Sequence, residues 1–305
     1  MELVLVAAKA VAKIFIYVLV GFVACKAGVF DKNVSDGASK ILINICCPAL
    51  AMASFFREYN PELLKGIGIS VILELCYYAI AIGIGLVFSK KDNPNKEIER
   101  ASVMYHNCGF IGIPIAQMIL GPEGVIYQAI RLALFHFVFF THATLLFAGK
   151  VDKKSLVKTL LSPAVVCAVL GVVVYLTQFQ LPNIIEESIV GIGNAATPLG
   201  MMIAGGIIAR TDMLAILKRK RVYLICLIKL IIMPLIMALI CKALGLPDTL
   251  SIAAVIAAAC PQANFINIYS EMYNKDSGYS LGIFGFGTLV SMVTIPLMVI
   301  IYGLL

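Results

Sequence analysis

The sequence predicts an all-α integral membrane protein with ten transmembrane helices. Of its 305 residues, 61% are hydrophobic and only 13% are charged, which is unlike a soluble globular domain. The apolar residues fall into blocks long enough for a helix to cross a bilayer, which takes about 20 residues. A β-barrel would instead show segments of about ten residues that alternate in polarity, and these blocks do not. Helices are also the structure that satisfies every backbone group within one segment in lipid.

Ten apolar blocks can be counted along the chain, with boundaries good to about three residues. The first block has no basic segment before it, contains Lys9 and Lys13, and is too long for a signal peptide, so we expect it to remain as span 1. The predicted spans cover roughly residues 3–28, 36–56, 62–88, 100–120, 124–148, 157–178, 184–209, 221–244, 249–273 and 278–304.

Basic residues are distributed unevenly between the two sides of these spans. Of the 24 Lys and Arg residues, 17 lie in or beside the odd-numbered connections, three lie on the opposite side, and four lie within spans. The positive-inside rule therefore predicts cytoplasmic odd-numbered connections and two extracellular termini, in a multi-pass protein of the plasma membrane. The basic run at residues 218–221 fits the same topology, so no nucleic-acid partner is expected.

Two short motifs recur along the chain at nearly the same offset. Asn, Pro and Met share one spacing in spans 2 and 7, and Phe-Ile-x-Ile recurs in spans 4 and 9. The matched residues are Asn44, Pro48 and Met52 with Asn194, Pro198 and Met202, and residues 110–113 with 265–268. These pairings predict two five-helix halves, residues 1–150 and 151–305. Because five spans return the chain to the opposite face, the halves would form an inverted repeat.

Spans 4 and 9 are the least helix-like of the ten, and we expect them to be broken and to cross. Proline within a helix removes a backbone hydrogen bond, and irregular backbone at membrane depth is tolerated only inside protein or beside a water-filled cavity. Helix N-termini at such a break suit an anion, and C-termini suit a cation. The alternative is a pair of proline kinks with packing asparagines. The residues concerned are His106, Asn107, Gly109 and Pro114 in span 4, and Pro261, Gln262, Asn264 and Asn267 in span 9.

The pattern Asn-x-x-x-x-Gly-Ile-Pro at residues 107–114, together with Pro261-Gln262 in span 9, resembles the auxin efflux carrier family. That family includes plant PIN-type carriers and bacterial malate and malonate permeases, and the resemblance covers essentially the whole chain. It implies a fold similar to the bile-acid/sodium symporters, with spans 1, 2, 6 and 7 as scaffold and spans 3–5 and 8–10 as a moving transport domain. It also implies an elevator-type mechanism and a homodimer.

By the same resemblance, Asn107 would contact the substrate at the crossing and Pro261 would be the second crossover proline. The chain departs from the plant carriers in two respects. His106 stands where they have the first crossover proline, and their large cytoplasmic loop is missing.

Three ionisable residues within spans are functional candidates, because charge inside a membrane is costly. Glu74 in span 3 is expected to carry a coupled proton or cation, unless it is a carboxyl group hydrogen-bonded to a neighbouring helix. Arg131 in span 5 is expected to clamp a carboxylate, or else to extend its charge towards the interface. Lys229 in span 8 is expected to pair with Glu74 or to lie in the cavity. His106 could also titrate near physiological pH, unless it is structural.

The functional prediction is a secondary active transporter of a small organic anion, a carboxylate that binds between Asn107 and residues 261–267. A channel-like pore would use the same crossed helices without a moving domain. An intramembrane enzyme is a weaker alternative, because no Ser/His/Asp set is apparent. The sequence predicts no cofactor and no metal site, and it leaves open coupling to H⁺, to Na⁺ or to neither. The expected partners are the anion, the bilayer and a second copy of the chain.

Overall fold

The computed structural model describes residues 2–90, 92–149, 161–211 and 216–305, and within these ranges every regular element is a helix. Within the described residues, five helices are long and apolar enough to cross a membrane. They are Pro61–Phe88, Cys108–Ala148, Asn183–Arg210, Lys220–Ala243 and Ser277–Leu304. The helices are α1 Glu2–Lys26, α2 residues 32–53, α3 Pro61–Phe88, α4 Lys96–Met104, α5 Cys108–Ala148, α6 Pro163–Thr177, α7 Asn183–Arg210, α8 Lys220–Ala243, α9 Asp248–Ala259, α10 Phe265–Met272 and α11 Ser277–Leu304. The all-α membrane class is thus confirmed, whereas the ten-span inverted repeat stays a prediction.

Three of the prolines inside the described helices follow a π-helical turn. In each case a π-helical turn ends two residues before the proline, and this wider turn accommodates the missing amide hydrogen and the bulk of the ring. The π turns are Leu42–Cys46, Cys108–Gly112 and Ile228–Ile232, and the prolines are Pro48, Pro114 and Pro234. Pro114, which the sequence placed among the helix-breaking residues, therefore lies within α5 and does not interrupt it.

Helix α5 is divided by a sharp bend at Gly121. This residue has φ 67° and ψ −155°, a conformation that is open essentially only to glycine. Pro122 follows directly and cannot donate to the preceding turn. The bend separates residues 108–120 from residues 122–148, close to the boundary predicted between spans 4 and 5.

Helices α1 and α7 pack with their backbones in close contact. A Cβ atom added at Gly205 would lie 2.0 Å from the carbonyl oxygen of Val18, and one added at Gly21 would lie 1.9 Å from that of Met202. Small residues permit this approach, which is a common way for helices to associate in membranes. At the end of α7, the Arg210 guanidinium donates to the carbonyl oxygen of Phe30 and to the hydroxyl of Ser35, which fixes the connection that leaves α1.

Candidate functional site

Two interruptions of helical structure cross each other in the interior of the protein. The chain is extended between α4 and α5 and again between α9 and α10, and the two segments form an antiparallel bridge at His106 and Gln262. The Asn107 amide donates to the Pro261 carbonyl oxygen at 2.8 Å, and the Ala263 amide donates to the Tyr105 carbonyl oxygen at 3.0 Å. Each break therefore supplies hydrogen-bond partners that the other helix lost. His106 and Pro261, which the sequence analysis names as crossover residues, lie in these two extended segments.

A partly open cavity lies beside the crossing, with about 420 Å³ between protein atoms when space open to solvent is included. The N-termini of α5 and α10 both reach it, and helix N-termini present amides without intrahelical acceptors and a partial positive charge. Of the predicted binding residues, Asn107, Gly109 and Asn264 line the cavity, together with His106. The remaining lining residues are Ile43, Cys47, Phe110, Leu132, Phe135, His136, Ala263 and Phe265. The cavity is mostly apolar, with a few polar groups around it.

Three polar atoms of the cavity-lining side chains are buried without a hydrogen-bond partner in the described part of the chain. They are Asn107 Nδ2, His106 Nδ1 and His136 Nδ1. Asn107 is 7% exposed and His106 is fully buried, so bulk water does not solvate them freely. Buried polar groups without partners are costly, and they are expected where a ligand completes them. His136, 29 residues beyond Asn107, was not predicted as a binding residue.

Behind the cavity, Glu74, His106 and Arg131 form a buried charged triad. One carboxylate oxygen of Glu74 lies 2.6 Å from His106 Nε2, and the other accepts from Arg131 Nη1 at 2.9 Å. All three side chains are almost completely buried, so the arginine does not reach the membrane interface. Arg131 Nε and Nη2 have no partner among the described residues. Arg131 therefore contacts Glu74, and it does not line the cavity where the anion was predicted to bind.

Comparison with known proteins identifies the family. Residues 6–153 and residues 147–299 each match the family described as membrane transport protein, to which the auxin efflux carriers belong. The two matches together cover almost the whole chain. The chain belongs to the auxin efflux carrier family. The resemblance drawn from the crossover motifs is thereby confirmed.

Individual relatives are distant. An uncharacterized transporter of Methanothermobacter thermautotrophicus is 24% identical over 95% of this chain and 96% of its own length. An uncharacterized transporter of Methanocaldococcus jannaschii is 26% identical over 63% of this chain and 66% of its own length. A probable auxin efflux carrier component of Oryza sativa subsp. japonica is 30% identical over 42% of this chain. The match spans 29% of the rice protein.

In this auxin efflux carrier family member, Lys229 contacts Tyr77 and not Glu74. Its ammonium group donates to the Tyr77 hydroxyl and lies 4.9 Å from the centre of the same ring. The predicted Lys229–Glu74 pair is therefore not formed, because Arg131 and His106 already occupy both carboxylate oxygens. Tyr77 also packs edge-on against His106, so Lys229 approaches the triad through an aromatic ring.

The amide side chains of the second broken helix form a hydrogen-bonded chain. Gln262 accepts from the Ser102 hydroxyl and donates to the Ser280 carbonyl oxygen, and its amide also reaches Asn267 Oδ1 at 3.3 Å. Asn267 in turn donates to Asn264 Oδ1 at 2.8 Å. Of these residues only Asn264 lines the cavity. Gln262 and Asn267, predicted as binding residues, are thus placed behind it, where they hold Asn264.

A second buried acid, Glu99 in α4, was not identified from the sequence. Its carboxylate accepts from the Arg221 guanidinium, from Asn93 Nδ2 at 2.7 Å and from the Tyr279 hydroxyl at 3.1 Å. The contacts join the start of α4 to the starts of α8 and α11. The predicted boundary of span 4 at about residue 100 put Glu99 in a solvated connection. The Glu99–Arg221 pairing has no local signal, because the two residues are 122 positions apart.

Proposed function

We propose that this protein is a secondary active transporter that binds a small organic anion at the crossing of its two broken helices. The substrate class is a carboxylate, such as malate, malonate or an auxin-like acid. The observation that carries the proposal is the cavity at the crossing. Two helix N-termini reach it, and the side-chain nitrogen of Asn107, Nδ2, is buried without a partner among the described residues. Such groups donate hydrogen bonds to an anion and favour its charge.

The lining of the cavity supports a small, partly apolar acid. Ligand pockets are mostly apolar, with a few placed polar groups that fix orientation. Leu132, Phe135 and Phe265 would cover the hydrocarbon part of the substrate. Asn107 and Asn264, on opposite sides of the crossing, would orient its carboxylate group. Arg131 would act through Glu74 in this arrangement, and not as a direct clamp.

We propose ten spans in two inverted halves, residues 1–150 and 151–305. Two observations support this topology. The family matches, residues 6–153 and 147–299, have nearly the bounds of the two predicted halves. The crossing also joins the two segments that the sequence repeat pairs, predicted spans 4 and 9. Both termini would be extracellular in the plasma membrane, from the distribution of basic residues.

For the mechanism we propose elevator-type movement of spans 3–5 and 8–10 against a dimeric scaffold of spans 1, 2, 6 and 7. A moving domain must hold together as a body, and its members are joined by polar contacts: Glu99 with Arg221, Lys229 with Tyr77, and Gln262 with Ser280. The scaffold is joined differently, by the glycine-mediated contact of α1 with α7. Coupling of the movement to H⁺ or Na⁺ is addressed below.

Counterflow in proteoliposomes tests the proposed function. Vesicles loaded with an unlabelled carboxylate would accumulate the labelled compound from outside, and the compounds tested would be acetate, malonate, malate and indole-3-acetate. Saturable counterflow of at least one of them is expected. Electrical conductance without counterflow would support a channel-like pore instead. Hydrolysis or other conversion of the added compound would support an enzyme.

A further inference from the structure

We propose that His106 binds the coupled proton and that the proton and the carboxylate meet at one atom, His106 Nδ1. The inference rests on the proposed function and specifies its coupling. It assigns Glu74 and Arg131 to a fixed supporting role, in place of the coupling role that the sequence predicted for Glu74.

The first step is the hydrogen-bonding state of Glu74. Both of its oxygens are engaged, one with Arg131 Nη1 at 2.9 Å and the other with His106 Nε2 at 2.6 Å. A carboxylate that pairs with a guanidinium is held in its ionised form. An ionised Glu74 has no hydrogen to give, so the bond to His106 assigns the hydrogen to Nε2. Glu74 thus orients the imidazole and fixes which of its two nitrogens remains open.

The second step concerns the other nitrogen, Nδ1. It has no partner among the described residues, and His106 lines the cavity. In the neutral imidazole Nδ1 has a bare lone pair and repels a carboxylate oxygen. Once a proton is added, Nδ1 becomes a charged donor and attracts the same oxygen. Protonation therefore converts the wall of the cavity from an acceptor to a donor, at the place where the anion is proposed to bind.

The third step is the charge balance around the imidazole. Six titratable or charged groups surround it: Glu74, Tyr77 and Tyr78 from α3, Arg131 and His136 from α5, and Lys229 from α8. Arg131 already balances Glu74. A proton on His106 in an empty cavity would therefore add buried positive charge, which is costly. A bound carboxylate offsets it, so each ligand is expected to favour the other, reciprocally.

The chain offers matched controls, because it has three histidines. His136 also lines the cavity with an unpartnered Nδ1, but the neighbours shown for it are the rings of Phe135, Phe140 and Phe265. His142 instead bonds the Tyr105 hydroxyl at 2.7 Å. The same substitution at all three positions separates a proton site next to a carboxylate from a histidine that merely lies nearby.

The experiment measures KM for malonate counterflow between pH 6.5 and 8.5, with equal pH on both sides of the membrane. Carboxylic acids are largely ionised in this range, so the change reports the protein. In the unsubstituted chain, KM is expected to rise up to about tenfold per pH unit, the limit for one coupled proton. His136→Gln and His142→Gln are expected to keep this slope, and His106→Gln is expected to lose it. A persistent slope in His106→Gln, or loss of the slope in His136→Gln alone, would overturn the assignment.

A second measurement needs no variant and applies even if His106→Gln does not fold. Malonate added to the purified, unsubstituted protein in weakly buffered detergent near neutral pH should cause uptake of up to about one proton per bound anion, measured with an indicator dye. Malonate binding without proton uptake at any pH in the range would contradict this inference while leaving the proposed transport intact. Failure of every carboxylate to bind or exchange would contradict the proposed function itself.

Discussion

The crossing of the broken helices and the contact of α1 with α7 bury backbone in two different ways. At the crossing, helical hydrogen bonds are lost and are replaced by bonds between two distant segments, such as Asn107 to Pro261. Between α1 and α7 the helices stay intact, and glycines bring their backbones together. The first arrangement leaves a buried side-chain donor, Asn107 Nδ2, without a partner among the described residues, whereas the second brings backbone against backbone. A binding site therefore needs a break in helical hydrogen bonding, whereas a rigid contact needs intact helices with small residues between them.

The largest effect on stability is expected at the triad beside the crossing. Glu74→Gln removes the charge that balances Arg131, and breaking a buried ion pair typically costs about 3–5 kcal/mol. The free energy of unfolding in detergent, from a denaturant titration, checks this value. Glu62→Gln in the same helix is the control, because its partner Lys65 is exposed and little change is expected. Equal stability of the two variants would show that Glu74 is not a structural partner of Arg131.

A smaller loss is expected where α1 meets α7. Gly205→Ala places a Cβ atom 2.0 Å from the Val18 carbonyl oxygen, so the helices must separate, at a cost of about 1–3 kcal/mol. Gly191→Ala in the same helix meets nothing within 4 Å and is expected to gain up to about 1 kcal/mol from helix propensity. The same denaturant titration compares them. A Gly205→Ala protein as stable as Gly191→Ala would contradict the close contact.

The smallest effect is expected outside the membrane-spanning segments, at Asp276. Partial burial raises the pKa of this carboxyl group. Hydrogen bonds from Arg219 and from the Tyr279 amide lower the pKa by more than burial raises it, so the pKa lies below its ordinary value. A lowered pKa stabilises the fold above the unfolded value near 4, and the contribution disappears as pH falls through the folded pKa. Asp276→Asn keeps the acceptor for Tyr279 and should cost less than about 1 kcal/mol, because the Arg219 pair is exposed.

That cost should be present at pH 6 and should shrink as pH falls below about 4, as measured from the difference in unfolding free energy between Asp276→Asn and the unsubstituted chain. A difference that grows as pH falls would mean that the Arg219 contact does not stabilise the ionised carboxylate.

The sequence predicted the position of the crossing because its signals are local. Proline, glycine and amide residues cluster within a few positions of His106 and of Pro261, and each cluster alone indicates a weak helix. Of the residues predicted to break span 4, His106 lies in the break, whereas Pro114 lies inside the helix that follows. A π turn upstream of Pro114 keeps the helix continuous, and no residue pattern in the sequence predicts that turn.

The sequence did not predict which residues pair with each buried charge. Glu74 lies 32 residues from His106 and 57 from Arg131, and nothing in the local pattern favours these over Lys229. Residue type identified Glu74, Arg131 and Lys229 as important, because charge is rare in apolar spans. The choice among their pairings depends on how the helices pack. Glu99 illustrates the same limit, since its partners come from three separate segments.

The central claim is that an anion binds at the crossing, and the most direct measurement is KM for malonate counterflow in Asn107→Ala. The variant removes a buried donor that has no partner among the described residues, so the free energy of unfolding should hardly change. KM should rise about 10- to 100-fold, because one hydrogen bond to a charged ligand is lost. Asn44→Ala, where the amide is exposed and bonds the Lys40 carbonyl oxygen, should leave KM unchanged. Equal KM values for Asn107→Ala and the unsubstituted chain would contradict the account.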